Sequence, residues 1–196
     1  MKNKRGLLLI FSGLCLIAAS LCMAAVNIYE SVNAAKSVER VNSRINIEKA
    51  QQTEEVPLYI SHPEIEMPVE EIDGNLYIGV LEIPDYELKL PVISRWSDAA
   101  LRVAPCRYTG SAYMDNMIVA AHDYRRHFAK IKKLEAGAPV YFTDIDGNRF
   151  EYKVLFREVL PPDAVEDMLA GDWDLTLFTC TSDAANRVTV RCERTE

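Results

Sequence analysis

The sequence predicts a mainly β protein in which many short strands close into a barrel, preceded by one long apolar helix. Three observations support this fold class. Apolar residues after position 74 come in short runs, the helical patterns between them are brief, and an uncharged span lies near the N-terminus. Short strands separated by few, short helices favour a closed barrel over a sheet of alternating strands and helices.

Composition excludes two broad classes of protein. Hydrophobic residues make up 49% of the 196 residues and charged residues 26%, which is not the composition of a disordered chain. Acidic residues number 29 against 22 basic ones, giving a net charge of −7. An acidic chain of this kind lacks the basic face of a nucleic-acid-binding protein, so no nucleic-acid partner is expected.

The first predicted element is a membrane-spanning helix over Leu7–Val26, which contains no charged residue. At about 1.5 Å per residue it would extend roughly 30 Å, the thickness of a bilayer's hydrocarbon core. Lys2, Lys4 and Arg5 precede it, so residues 1–6 are expected in the cytoplasm and everything after Val26 outside. A cleaved signal peptide is the alternative, but its apolar region is usually only about 7–15 residues.

Residues 27–73 are predicted to link this helix to a folded domain over residues 74–196. Apolar residues at helical spacing in residues 27–53 predict a helical stalk: Val32, Ala35, Val38, Val41 and Ile45. The following stretch, Glu54–Asp73, has seven acidic residues, three prolines and neither lysine nor arginine. This composition predicts an extended connector.

Strands of the folded domain are predicted from alternating or buried apolar runs. They are Leu76–Ile83, Leu88–Val92, Met117–Ala121, Val140–Thr143, Arg149–Val154, Leu175–Cys180 and Arg187–Glu193. Asp146-Gly147 between two of them is a strong hairpin signal.

Three short helices are predicted between these strands. Ser97–Val103 begins with a capping serine, and Arg125–Glu135 places Phe128, Ile131 and Leu134 on one face. Asp163–Ala170 follows two prolines and stops at a glycine.

The last two strands predict a specific pairing. In a symmetric hairpin with Thr181–Asn186 as its turn, Leu175 pairs with Cys192, Leu177 with Val190 and Thr179 with Val188. These apolar or small residues form one core face. The same register pairs Cys180 with Arg187 on the other face. Directly opposed residues have Cβ atoms roughly 5 Å apart.

A thiol beside an arginine has a chemical use. Three cysteines follow the membrane span, namely Cys106, Cys180 and Cys192, and an odd number leaves at least one free thiol. A neighbouring cation favours the nucleophilic thiolate, and a guanidinium can donate hydrogen bonds to an oxyanion.

A general acid is also needed, and histidine is the usual one. His122 stands at the exit of the buried run Met117–Ala121, whereas His62 lies in the acidic connector and His127 is expected to be a surface or packing residue. The spacing of these cysteines and histidines does not match a zinc site, so neither a metal nor another cofactor is expected.

The same residues resemble a known family. Thr176-Leu177-Phe178-Thr179-Cys180-Thr181 with Arg187 resembles the TLxTC signature and trailing arginine of the sortases. The stretch from Met117 to Tyr124 resembles their strand ending in the catalytic histidine, and the similarity runs through residues 74–196. The resemblance implies an eight-stranded sortase barrel and a membrane-tethered cysteine transpeptidase of Gram-positive bacteria.

Such enzymes cut an LPXTG-type sorting motif of a surface protein between Thr and Gly. They hold the acyl group as a thioester and pass it to an amine of a peptidoglycan precursor or to a pilin lysine. The resemblance makes Cys180 the nucleophile, His122 the acid and base, and Arg187 the residue that positions substrate and stabilises the oxyanion. Many sortases have glycine before the histidine, where this chain has Ala121.

Other enzyme classes fit less well. L,D-transpeptidases place His-Gly directly before the cysteine, and papain-like peptidases have the cysteine before the histidine in sequence. An anchored, non-catalytic β-barrel binding module with an incidental cysteine stays open.

The sortase subclass also stays open. No Asp-Pro-aromatic tripeptide precedes Gly74, and no second membrane helix follows the strand Arg187–Glu193. Both features favour a wall-anchoring sortase over a pilin-polymerising one.

Overall fold

The N-terminal element is helix α1 (Lys2–Asn42) in the computed structural model, which describes residues 2–45, 47 and 56–195. Its residues 7–26 are uncharged and almost all exposed, and α1 is long and apolar enough to cross a membrane. The helix continues through the first part of the predicted stalk and ends at Asn42. Residues 46 and 48–53 of that stalk and residues 54–55 of the predicted connector lie outside the described residues.

The second half of α1 packs against the barrel. Ala34, Val38 and Val41 are buried, at the spacing of one helix face. Polar contacts fix the helix end, where the Asn42 side chain donates to the Lys89 carbonyl over 2.7 Å. This part of the predicted stalk is therefore docked on the folded domain.

The acidic connector also packs on the barrel, which differs from the extended linker expected over Glu54–Asp73. Tyr59 stacks on Tyr113 with ring centroids 4.4 Å apart, and Met67 is buried. Residues 70–72 form a short strand. The physical reason is that scattered apolar side chains reach the barrel while acidic neighbours such as Glu64 face solvent.

Eight strands close into a barrel, as the fold class predicts. The strands of the chain are β1 (Glu70–Ile72), β2 (Asn75–Ile83), β3 (Leu88–Ile93), β4 (Cys106–Thr109), β5 (Met117–Ala120), β6 (Pro139–Asp144), β7 (Arg149–Leu160), β8 (Leu175–Cys180) and β9 (Arg187–Arg194). The sheet order is β1-β2-β3-β4-β5-β8-β9-β7-β6, and pairing of β2 with β6 closes it. β1 pairs with the start of β2 and lies outside the closed ring.

Closure depends on Gly79, which pairs with Asp144 where β2 meets β6. Its φ of 153° lies in a region that other residues rarely adopt, and a Cβ there would collide with the Thr143 carbonyl oxygen. Glycine allows the two backbones to approach closely enough to complete the ring.

The helices of the domain are shorter than predicted. α2 (Asp98–Leu101) is capped by Ser97, whose hydroxyl accepts from the Ala100 amide at 3.0 Å, and α3 is Val165–Leu169. The predicted helix over Arg125–Glu135 is a 3₁₀ segment, Phe128–Lys133. Its predicted apolar face is correct, because Phe128, Ile131 and Leu134 are all buried in the barrel core.

Candidate active site

The hairpin of β8 and β9 has the register that the sequence predicts. Leu175 pairs with Cys192, Leu177 with Val190, and Cys180 with Arg187. The predicted core face is buried, and Cys180 and Arg187 are both half-buried on the opposite face at the end of the hairpin.

Burial separates Cys180 from the other two cysteines of the domain. Cys106 and Cys192 are completely buried. Burial in apolar surroundings raises the pKa of Cys106 to about 12 and also raises the pKa of Cys192. Both are poor nucleophiles, because the thiolate is the reactive form. Cys180 is half-buried and lines an open cavity.

Strand β5 brings His122 to the same end of the barrel. β5 runs parallel to β8, with Met117 opposite Leu175 and Ala120 opposite Phe178. The two strand ends are tied by the Thr179 hydroxyl, which donates to the Ala121 carbonyl over 2.8 Å in a buried position. His122 follows Ala121 and Cys180 follows Thr179, so this side-chain-to-backbone bond links the residues that directly precede His122 and Cys180.

Thr179→Val should therefore lower both stability and activity. Valine keeps the shape of the side chain but leaves the Ala121 carbonyl without this donor, at a cost of about 1–3 kcal/mol. Thermal melts and kcat/KM on one peptide substrate measure the two effects. The matched control is Thr195→Val, which removes a hydroxyl bonded to the Glu151 carbonyl in an exposed position. Equal effects from both variants would show that the bond does not position the site.

His122, Cys180 and Arg187 all line one cavity of about 370 Å³. One wall comes from the connection between β7 and β8 and is apolar, with Pro161, Pro162, Ala164, Val165 and Met168. The other wall is aromatic. Tyr108 makes edge contacts with both Trp96 and Phe178, at centroid distances of 6.2 and 5.5 Å. Most of the cavity lining is therefore apolar.

Sequence reasoning missed this aromatic wall. Trp96 lies in a loop and Tyr108 on β4, a strand too short and too polar to be predicted. Only the folded chain brings them next to Phe178, and both remain partly exposed, at 46% and 36%.

The ring of His122 is half-buried and rests on Tyr124, with centroids 4.8 Å apart. Among the described residues, none hydrogen-bonds to its ring nitrogens. Burial is the main cause that lowers its pKa, and Arg102 adds to this, whereas Glu30 and Asp98 oppose it. The neutral ring is therefore favoured over the imidazolium relative to a free histidine.

The other two histidines are placed apart from the cavity lining. His62 is exposed in the connector and contacts Glu64 at 3.3 Å. His127 is completely buried against Tyr124, as a packing residue, and burial lowers its pKa to about 4.

Arg187 and Arg191 occupy different environments. Arg187 lines the cavity, and one of its guanidinium nitrogens donates to the Asn186 carbonyl at 3.2 Å. Arg191 pairs with Thr176, is only 2% exposed, and donates to Glu158 at 2.7 Å. It also donates to the carbonyls of Asp167 and Met168, which holds the apolar cavity wall against the sheet.

Several solved structures with the same fold are sortases. Sortase A from Corynebacterium diphtheriae is 17% identical with a TM-score of 0.56, over 85% of this chain and 84% of that one. Sortase C from Clostridium perfringens SM101 is 26% identical with a TM-score of 0.54, over 86% and 90%. Clostridium perfringens sortase C with the C-terminal cell wall sorting motif is 23% identical with a TM-score of 0.56, also over 86% and 90%.

Sequence comparison agrees with the fold. No relative is found among curated protein sequences. A family model of the Sortase domain matches residues 81–195, which is more than half of the chain and includes His122, Cys180 and Arg187. The protein therefore belongs to the sortase family.

Proposed function

We propose that this protein is a membrane-anchored cysteine transpeptidase that cleaves an LPXTG-like sorting motif and joins the surface protein to a cell-wall amine. The observation that carries the proposal is the pairing of Cys180 with Arg187 in a groove that also contains His122. The Sortase domain match and the sortase C solved with a C-terminal cell wall sorting motif support the same reaction.

The acylation half-reaction uses the three side chains in turn. The Cys180 thiolate attacks the threonine carbonyl carbon, and the Arg187 guanidinium donates hydrogen bonds to the oxyanion that forms. The bond between threonine and glycine then breaks, and the His122 imidazolium gives its proton to the leaving glycine nitrogen. The products are a thioester on Cys180 and a free amine.

The second half-reaction reverses these roles. An acceptor amine attacks the thioester carbonyl, and neutral His122 takes the proton that this amine loses. The carbon–sulfur bond breaks, which restores the thiolate and leaves a new amide. The proposed acceptor is an amine of a peptidoglycan precursor, and a pilin lysine is the second candidate, since sortase C proteins are among the structural matches.

The proposed topology has a single membrane span. Residues 1–6 remain in the cytoplasm, residues 7–26 cross the membrane, and the catalytic domain of residues 74–196 faces outward. Support comes from the apolar, exposed surface of α1 and from the bases that precede it in sequence.

Peptide cleavage tests the reaction. The full chain in detergent is incubated with sorting-motif peptides, with and without an added amine, and mass spectrometry identifies the products. We expect cleavage between Thr and Gly, transfer to the amine, and loss of both after thiol alkylation. Peptide binding without cleavage, insensitive to alkylation, would instead identify a binding module. Supplying a precursor-like amine or a pilin lysine peptide as acceptor separates the two acceptors.

Topology has its own test. Protease added to intact protoplasts should digest the domain of residues 74–196, and the protected fragment should contain the apolar part of α1. A cytoplasmic marker protein is the control for membrane integrity. Protection of the whole chain would reverse the proposed orientation.

A further inference from the structure

One hydrogen bond joins α1 to the loop that follows His122. The Tyr124 hydroxyl donates to the Glu30 carboxylate over 3.1 Å, across 94 positions of sequence. Both side chains are half-buried. Burial and the contact with Glu30 raise the pKa of Tyr124, so its hydroxyl stays protonated and can donate.

The ring of Tyr124 contacts two imidazoles. Its centroid is 4.8 Å from that of His122 and 5.5 Å from that of the buried His127. His127 is completely buried, next to the buried Phe128. Among the described residues no hydrogen bond reaches the ring of His122, so its tilted ring contact with Tyr124 is an interaction that can orient it.

Glu30 is fixed by the helix that carries it. It lies four residues after Val26, or about 6 Å along the helix axis beyond the apolar span. One turn further on, Ala34 is buried against the barrel, and Val38 and Val41 continue that contact. The carboxylate that holds Tyr124 therefore belongs to the docked segment immediately outside the proposed membrane boundary.

Charged groups reach His122 from several elements. Glu30 comes from α1, Asp98 and Arg102 from α2 and its C-terminal end, and His127 from the loop itself. Cys180 and Arg187 share its cavity. Glu30 and Asp98 favour the imidazolium, while Arg102 opposes it.

We propose that Glu30 and Tyr124 are positioning residues for His122, so that docking of the juxtamembrane part of α1 sets the orientation and the charge environment of this histidine. Neither Glu30 nor Tyr124 is among the residues that line the cavity of Cys180, His122 and Arg187. Glu30 holds Tyr124, and Tyr124 supports the ring of His122. This inference rests on the proposed function in one respect, namely the role of His122 as the acid and base.

Two conservative variants of the full chain in lipid nanodiscs test the link. Tyr124→Phe keeps the aromatic face but loses the bond to Glu30, and we expect kcat to fall about tenfold with little change in KM, the size expected for one hydrogen bond to a charged group. Glu30→Gln keeps an acceptor but removes the charge. Its pH profile should shift, with the limb that reports protonated His122 moving to lower pH. The matched controls on the same helix are Tyr29→Phe and Glu39→Gln, both at exposed positions.

A titration that needs no turnover gives the decisive readout. Nuclear magnetic resonance of labelled histidine, with the His122 signal assigned by its loss in His122→Ala, measures the pKa of His122 directly. We expect Glu30→Gln to lower this pKa, because a negative charge that stabilises the imidazolium is gone, and Glu39→Gln to leave it unchanged. A merely structural role for Glu30 would change the melting temperature without this shift.

The outcomes separate the two proposals. An active wild type in which Glu30→Gln and Tyr124→Phe match their controls in kcat and in the titration would overturn the link. A shifted titration in a protein that shows no peptide cleavage would support the link and contradict the proposed function.

Discussion

Cys180→Ala should abolish peptide cleavage and transfer while the domain still folds. Alanine removes the sulfur that forms the thioester, and neither half-reaction has another route in the proposed mechanism. The side chain is half-buried at the rim of a cavity, so its loss leaves no enclosed void in the core. We expect turnover below detection, an almost unchanged melting temperature, and no acyl adduct by mass spectrometry after incubation with a sorting-motif peptide.

Cys106→Ala and Cys192→Ala are the matched controls. Both thiols are completely buried, so truncation should lower stability by about 1 kcal/mol but leave turnover intact wherever the protein is folded. A covalent acyl adduct on the Cys180→Ala protein would show that Cys180 is not the nucleophile. Loss of turnover in Cys192→Ala at unchanged stability would contradict the inward placement of that residue.

Much of the barrel was predictable because its strands are amphipathic or uniformly apolar. The β8–β9 hairpin shows this best, since an apolar face alternating with a polar one admits a single register and a one-residue slip would invert it. β6 and β7 were recognised from the Asp146-Gly147 turn, although β7 continues to Leu160, well past its apolar start. β1 and β4 were missed, because strands of three and four residues carry too little pattern.

The positions of Cys180, Arg187 and His122 were predictable for a local reason. Cys180 and Arg187 face each other within one hairpin, and His122 ends a short buried strand that the family motif identifies. The surroundings were not predictable, since they depend on long-range packing. No pattern near Tyr124 indicates Glu30, and no pattern near Phe178 indicates Tyr108.

Arg191 shows the same limit. Its sequence neighbours suggest a solvated strand residue, yet the connection between β7 and β8 covers it and supplies its hydrogen-bond partners. The buried pair of Arg191 with Glu158 is partly screened, since Glu158 is 33% exposed. Arg191→Lys should mainly lower the melting temperature. The guanidinium of Arg191 donates to four acceptors, whereas a lysine ammonium has only three N–H donors and no planar fork.

Arg187→Lys should lower kcat/KM on the order of 10²-fold, the loss typical of removing one oxyanion donor. Lysine keeps the positive charge, so the charge beside the Cys180 thiolate is largely retained. What is lost is the planar fork, which can bind a peptide carbonyl and the oxyanion together. Arg187 is half-buried, at the first residue of β9, and among the described residues its one side-chain hydrogen bond is to the neighbouring Asn186 carbonyl, so the substitution should cost little stability.

Lysine substitutions at three arginines separate an effect on catalysis from an effect on stability. Arg149→Lys, on an exposed side chain at the start of β7, is the control for the substitution itself and should leave kcat/KM unchanged. Arg191→Lys should lower stability while changing kcat little. Arg187→Lys should lower kcat/KM while changing stability little, because the Arg187 guanidinium faces the cavity beside Cys180. The Arg191 guanidinium instead donates hydrogen bonds to the wall of the cavity. Near-normal turnover in Arg187→Lys, with a large loss of turnover in a folded Arg191→Lys protein, would contradict the proposal. It would identify Arg191 as the oxyanion donor in place of Arg187.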